Sequence, residues 1–544
     1  MRNHVKKVIK SSKVKYYHNM FIGCTSSKSL WNKIRSLEID KGKDGAGELI
    51  SDVNSLNQYY SSVASINDLS TINATIQSYK EINCVHSDKF YFKYVTADVV
   101  KSSIMSIKSK ATGADFINVT MLQKCVDLLI HIIEHIFNFS LQTGVFPSQW
   151  KLANIIPVKK VSSPTQCQDY RPVSILCVMS KAIEKVVHQQ VCQYMYEHYL
   201  FNPLQSGFKK GHSTLTALLK VTDDMRCAID HGLLSILALF DLSKAFDRVH
   251  HELLLTKLKC VGFADITVQW FCDHLTHRMQ RVVHNDDYSD FVTIRTGVPQ
   301  GSVLGPLLFS IYINDFHSVL KHCKYHKYAD DIQIYLHFHR NSIDSAVESI
   351  NYDICNIVSY LESHNLMINS KKTQPIIVGT RMNLNLLDSV NTPKLNVNGD
   401  LIPYQTNVNN LGVIMDQILC WSFHVDKVIK KCFSTIAQIR RNHDYLPQSV
   451  RLHVVQSLVF PHLDYCLPLF TDMSSAGILR LQRVQNLCLR FVYVISKFDH
   501  ITPYYYQYKW IKIKEKIELS VAVMCHKLLK YQTPCYLFEQ FTFL

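Results

Sequence analysis

Residues 233–240 are apolar at every position except Ser235, and the run stops at Asp241. It is too short for a buried helix, so it reads as a buried strand with a carboxylate where it ends. Such a strand needs cover from other elements, and its surroundings supply them. From about residue 96 to 345, helical patterns (121–139 and 180–196 among them) alternate with short apolar runs at 155–158, 234–240, 291–294 and 325–336. This mixture predicts an α+β fold. After about residue 417 the strand signal fades. Over 425–441 the apolar positions Val425, Val428, Ile429, Cys432, Ile436 and Ile439 step by threes and fours, as the stripe of a packed helix requires. A similar stripe over 478–495 carries Arg480, Arg483 and Arg490, which read first as a solvated face and second as a nucleic-acid contact. Residues 1–95 are polar and Ser/Asn-rich, and modest helices and loops are expected there around a flexible stretch at 41–47.

The chain has 544 residues, too many for one compact core, so two or three domains are expected. Its apolar fraction of 47% and charged fraction of 19% exclude extensive disorder. The net charge of +15 favours a polyanionic partner, because Lys and Arg release counterions when they bind phosphates. The 17 cysteines form no C-x-x-C and the 26 histidines no H-E-x-x-H, which excludes a zinc ribbon, a C-x-x-C redox pair and that metalloprotease motif. The thiols read as small core residues in a reducing compartment. The basic N-terminus has no signal-peptide core, and no uncharged apolar run approaches about 18 residues. A soluble intracellular protein, nuclear or cytoplasmic and without a membrane partner, is expected.

Four strings carry chemistry. Tyr328-Ala329-Asp330-Asp331 lies between two β-prone runs, so a tight hairpin puts both carboxylates at its tip. Adjacent carboxylates raise each other's pKa unless a cation neutralises them, and Mg²⁺ takes hard oxygen ligands of this kind. Asp241, at the end of the buried strand, can reach such a tip. Three carboxylates from two elements can hold two ions about 4 Å apart for an in-line displacement. Asp247 is either another ligand or a cap for a helix expected over 249–258, and the local role is favoured. A Gly/Pro loop from Gly297 to Pro306, containing Gln300 and Gly301, precedes an apolar helix and allows a backbone to approach a base or sugar closely. Lys159, Lys160 and Arg171 are cations suited to a triphosphate.

In this order the strings resemble the reverse transcriptases of non-LTR (LINE-type, jockey-like) retrotransposons. The resemblance rests on FPSQWKLANIIPVKK, DYRPVSILCVMSKAIEKVV, PLQSGFKKGHSTLTALL, FDLSKAFDRVHHELLLTKL, GVPQGSVLGPLLFSIYINDF and YADDIQIY, and extends into the helical tail. It implies a right-hand polymerase with fingers and palm over 96–415 (core about 138–412), a helical thumb and C-terminal region over 416–544, and an extension over 1–95. It also implies that Asp241, Asp330 and Asp331 bind two Mg²⁺ ions, with Mn²⁺ as a substitute. Phe246 becomes the steric gate against a 2′-hydroxyl, and Gln300 and Gly301 pack near nucleotide and template. Lys159 and Arg171 contact the triphosphate, with Lys160 competing for the first role. Lys372 is the proton donor to pyrophosphate, with Lys371 competing.

The implied partners are an RNA template, a DNA primer or target and dNTPs. Such elements usually place an endonuclease upstream, and residues 1–95 are too few to hold one, so an endonuclease from another chain is the expected partner. Two other readings stand beside an active polymerase: a catalytically silent relic, and a nucleic-acid-binding protein that has lost catalysis.

Overall fold

The computed structural model describes residues 1–22, 27–36, 49–62, 68–81, 89–387, 392–441 and 443–542; the stretch 41–47 lies outside them. The apolar run forms the strand Leu234–Phe240, buried along its whole length. It occupies an inner position of a four-stranded antiparallel sheet in the order Lys324–Tyr328, Asp331–Phe338, Leu234–Phe240, Gln374–Val378. Side chains of a strand alternate between faces, so one run serves two cores. Leu234, Ile236, Ala238 and Phe240 join the larger core, built with the helices Val119–Thr143, Val178–Glu197, His251–Cys260, Asp265–Leu275, Gly305–Tyr312 and Ile343–Ser363. Leu237 and Leu239 join a second core with Thr214–Asp230 and the C-terminal helices Ser422–Arg440, Gln448–Leu458, Ser475–Tyr493 and Ile513–Tyr531. A strand covered on both faces has no use for polar alternation, which explains the near-continuous apolar run.

A second sheet orders Tyr170–Leu176, Leu152–Lys159, Arg278–His284 and Asp287–Tyr288, with Val292–Ile294 also pairing with Arg278–His284. Its middle pair, Leu152–Lys159 with Arg278–His284, is parallel. The expected run over 325–336 is two strands, because the chain reverses at Ala329 and Asp330. The helix expected over 249–258 begins at His251, after a 3-10 turn Ala245–Arg248. Its cap is His250, whose side chain accepts from the Leu253 N–H, so Asp247 does not cap it.

Described residues before residue 96 contribute to the cores. Phe21 and Ile34 enter the second core, Ile72 and Ile76 the larger one, and Leu56 a small core under the second sheet. Their helices are polar overall, so only sparse apolar positions signalled the docking. Of the three arginines on the helix Ser475–Tyr493, Arg480 pairs with Asp426 and Arg490 donates to the carbonyls of Ser496 and Asp499. Arg483 is exposed. The described cysteines are free thiols. Among the described residues no helix is long and apolar enough to cross a membrane.

Candidate active site

The two sheets and the loop between Gly297 and Gly305 converge on three carboxylates. Tyr328 pairs with Asp331, leaving Ala329 and Asp330 as a two-residue turn, with Ala329 at φ 57°. That left-handed backbone costs a non-glycine residue roughly 1 kcal/mol and needs outside support. The support comes from residues 204–207. Gln205 Oε1 accepts from the Ala329 N–H at 3.1 Å and the Gly207 N–H at 3.2 Å, while its Nε2 donates to the Ala329 carbonyl at 3.4 Å. Gly207 lies so close that a Cβ would stand 2.3 Å from the Ala329 nitrogen.

In the neighbouring strand Phe240 pairs with Ile332, so Asp241, one residue on, continues toward Asp331. The Asp241 carbonyl accepts from the Asn369 N–H at 2.9 Å, and its Oδ2 meets Lys372 Nζ at 3.0 Å. Asp331 stands exposed at the cleft mouth. Partial burial, then the charges of Asp330 and Asp241, push its carboxyl up to about 6. Burial and Asp241 also raise Asp330, against the pull of Arg171 and Lys372. A cavity of about 470 Å³ opens here, lined by Asp241, Asp331, Lys371 and Lys372 among others.

Cations surround this acidic group. Burial, then Lys244, Arg171 and Lys372, lower the Lys160 ammonium, so these four side chains share one field. Strand alternation puts Lys159 on the face opposite Arg171, since Arg171 pairs with Val158, whereas Lys160 follows Val158 by two and shares the Arg171 face. Lys160 Nζ also donates to the Gln168 carbonyl at 2.8 Å.

Phe246 stacks on Phe309, with centroids 4.7 Å apart, and meets Phe208 edge-on at 6.2 Å. Gln300 donates through Nε2 to Asp247 Oδ1 at 2.7 Å, and its carbonyl accepts from the Ser174 N–H at 2.8 Å. Gly301, at φ 131°, lies where a Cβ would meet the Ser174 carbonyl at 2.4 Å. The loop thereby ties the Ala245–Arg248 turn to the strand carrying Arg171. Its far end is held by Glu184, which is wholly buried. Glu184 accepts from Ser302 Oγ and the Val303 N–H, each at 2.7 Å, and from Ser180 Oγ at 2.9 Å, with His274 at 3.4 Å. Burial alone would raise Glu184, but His274, Arg278 and these donors bring it down to about 2.

Sequence reasoning missed Gln205, Gly207, Lys244 and Glu184. Gln205 and Gly207 sit in the string PLQSGF, but no periodicity or spacing ties them to a hairpin more than a hundred residues away. Glu184 reads in sequence as an ordinary polar position on a helix.

Residues 158–415 match the reverse transcriptase (RNA-dependent DNA polymerase) family, and all three carboxylates lie inside that match. The chain carries a reverse transcriptase domain. It is 26% identical over 409 residues to the probable RNA-directed DNA polymerase from transposon BS of Drosophila melanogaster, covering 72% of this chain and 44% of that protein. It is also 26% identical to the RNA-directed DNA polymerase from mobile element jockey of the same organism, covering 73% of this chain and 43% of the relative. The transposon X-element polymerase is 25% identical with similar coverage. The chain thus spans less than half the length of these relatives. The reverse transcriptase domain takes in both the hairpin and the Gly297–Gly305 loop, and its fold is the α+β polymerase fold.

Among the described residues no three His, Cys, Asp or Glu side chains are gathered closely enough to hold a metal ion as they stand. The donor set nonetheless fits a hard divalent cation. It consists of carboxylate oxygens, two of them held above their ordinary pKa by burial and by neighbouring carboxylates, while Asp241 is paired with an ammonium.

Proposed function

We propose that this chain is an RNA-directed DNA polymerase that extends a DNA primer on an RNA template, using dNTPs and two Mg²⁺ ions. The observation that carries this reading is the convergence of Asp241 with the Asp330–Asp331 turn inside the matched segment. Asp241, Asp330 and Asp331 are the residues that would hold the ions, which when bound activate the primer hydroxyl and stabilise the departing pyrophosphate. Mn²⁺ satisfies the same donor set.

The remaining chemistry belongs to the chain. Arg171 and Lys160 face the triphosphate as fixed positive charge, with Lys159 on the other face of its strand. Phe246, backed by Phe309, is rigid enough to stack under a deoxyribose and exclude a 2′-hydroxyl. Gln300 and Gly301 keep the strand carrying Arg171 in register with Phe246. Lys372 moves from Asp241 to the leaving pyrophosphate as its proton donor. Fingers and palm correspond to 96–415 and the thumb region to 416–544. An endonuclease from another chain and a nuclear or cytoplasmic site of action belong to the same proposal.

Primer extension on an RNA template with Mg²⁺ tests it. Template-directed extension is expected, and Asp330→Ala with Asp331→Ala should abolish it. A wild-type chain that binds RNA without extending a primer would instead be a binding protein.

A further inference from the structure

The helix Val53–Ser62 lies outside the matched segment, yet it meets Lys244 in the stretch that follows Asp241. It is anchored on the second sheet by two buried residues. Leu56 packs with Ala153, Ile155, Leu176 and Val282. Asn57 Nδ2 donates to the Ser289 hydroxyl at 3.0 Å and to the carbonyls of Asp290 and Gln280 at 2.9 and 3.3 Å; Asn57 Oδ1 accepts from Gln280 Nε2 at 3.1 Å. An amide satisfied at both ends fixes the helix in position and in rotation. Two residues on, Tyr59 meets Lys244. The Lys244 ammonium donates to the Tyr59 hydroxyl at 2.7 Å and lies 4.5 Å from the ring centroid.

Lys244 stands between Asp241 and Phe246, on left-handed backbone at φ 52°. Among the described residues it forms no ion pair within 4 Å, unlike Lys372. Burial lowers the Lys244 ammonium and Asp247 opposes its charge from beyond ion-pair distance, but a phenol and a ring hold it, without the direct carboxylate contact that Lys372 makes. We infer that Tyr59 is a positioning residue of the nucleotide site: it holds Lys244 at the rim of the cleft as a phosphate-facing cation beside Lys160, Arg171 and Lys372. This rests on the polymerase reading. It makes an element outside the family segment part of dNTP recognition.

The test uses the full chain with poly(rA)–oligo(dT) and dTTP. Tyr59→Ala should raise KM for dTTP roughly tenfold while kcat stays within about twofold and primer–template affinity is unchanged. Tyr59→Phe keeps the ring and should raise KM less than about threefold. Acetylation of Lys244, followed by mass spectrometry with dTTP and Ca²⁺ in place of Mg²⁺, gives a readout free of turnover. dTTP should protect Lys244 in the wild type and protect it less in Tyr59→Ala. Three results overturn the inference: an unchanged KM in Tyr59→Ala, a parallel decline of kcat and primer–template affinity such as undocking of the helix produces, or no protection of Lys244 by dTTP in the wild type. A wild type that fails to extend the primer sinks the polymerase reading, while nucleotide protection of Lys244 still decides this one.

Discussion

Glu184 is the buried charge on which the loop between the two sheets depends, and Glu184→Gln measures that dependence. The wild-type carboxylate accepts from Ser302, Val303 and Ser180 and faces His274 and Arg278 with no exposure to solvent. Gln has the same length, but its NH₂ turns a donor toward groups that already donate, and the charge opposite Arg278 is lost. The carboxyl is held at about 2 against an ordinary 4.5, which by linkage corresponds to roughly 3 kcal/mol at neutral pH. Leaving the buried Arg278 without the negative charge that opposes it and the buried donors without their acceptor is a cost of the same order, about 3–5 kcal/mol. The sign follows from the depressed pKa. The contribution is fully present above pH 4.5 and is lost as pH falls toward 2. Urea unfolding can be followed by tryptophan fluorescence, because Trp270 stacks on His274 with centroids 5.4 Å apart. The variant should be less stable by about 3 kcal/mol at pH 7, and the gap should close between pH 4.5 and 2. Equal midpoints at pH 7, or a gap that does not change with pH, would refute the linkage.

Further outcomes test the catalytic turn and the loop. Gln205→Ala leaves the Ala329 and Gly207 N–H groups unpaired, so a loss of roughly 2 kcal/mol and a fall in kcat are expected from denaturation and primer-extension assays. Gly301→Ala drives a methyl against the Ser174 carbonyl on disfavoured backbone; a loss of about 2–3 kcal/mol and a raised KM for dNTP are expected, and an unchanged melting temperature would contradict the close approach. Asp331, raised to about 6, favours the ligand-free fold below pH 3.8, and that contribution disappears as pH rises through 6. Asp331→Asn should therefore stabilise the metal-free protein at pH 8 and not at pH 3.5, while extension falls by at least about 100-fold. At fixed Mg²⁺, wild-type extension should increase with pH through about 6.

Hydrophobic periodicity and turn chemistry are local properties, and the sequence alone carried the features they govern. It marked the strand ending at Phe240, the hairpin whose turn is Ala329 and Asp330 with Asp331 opening the next strand, the helices of the C-terminal region and an α+β class. The order of its motifs also pointed to the three carboxylates and to the family that residues 158–415 match. Tertiary structure decided what depends on distant residues meeting. Glu184 reaches Ser302, Gln205 braces Ala329, and Tyr59 meets Lys244, pairs separated by 118, 124 and 185 positions. Lys159 and Lys160 are equivalent as neighbours in sequence, and only the register with Arg171 separates their faces. Nothing in a local window encodes such pairs, because each partner alone is an ordinary polar residue. Their roles come from the cores on either side of one strand, which fix the sheets and so bring those side chains within reach.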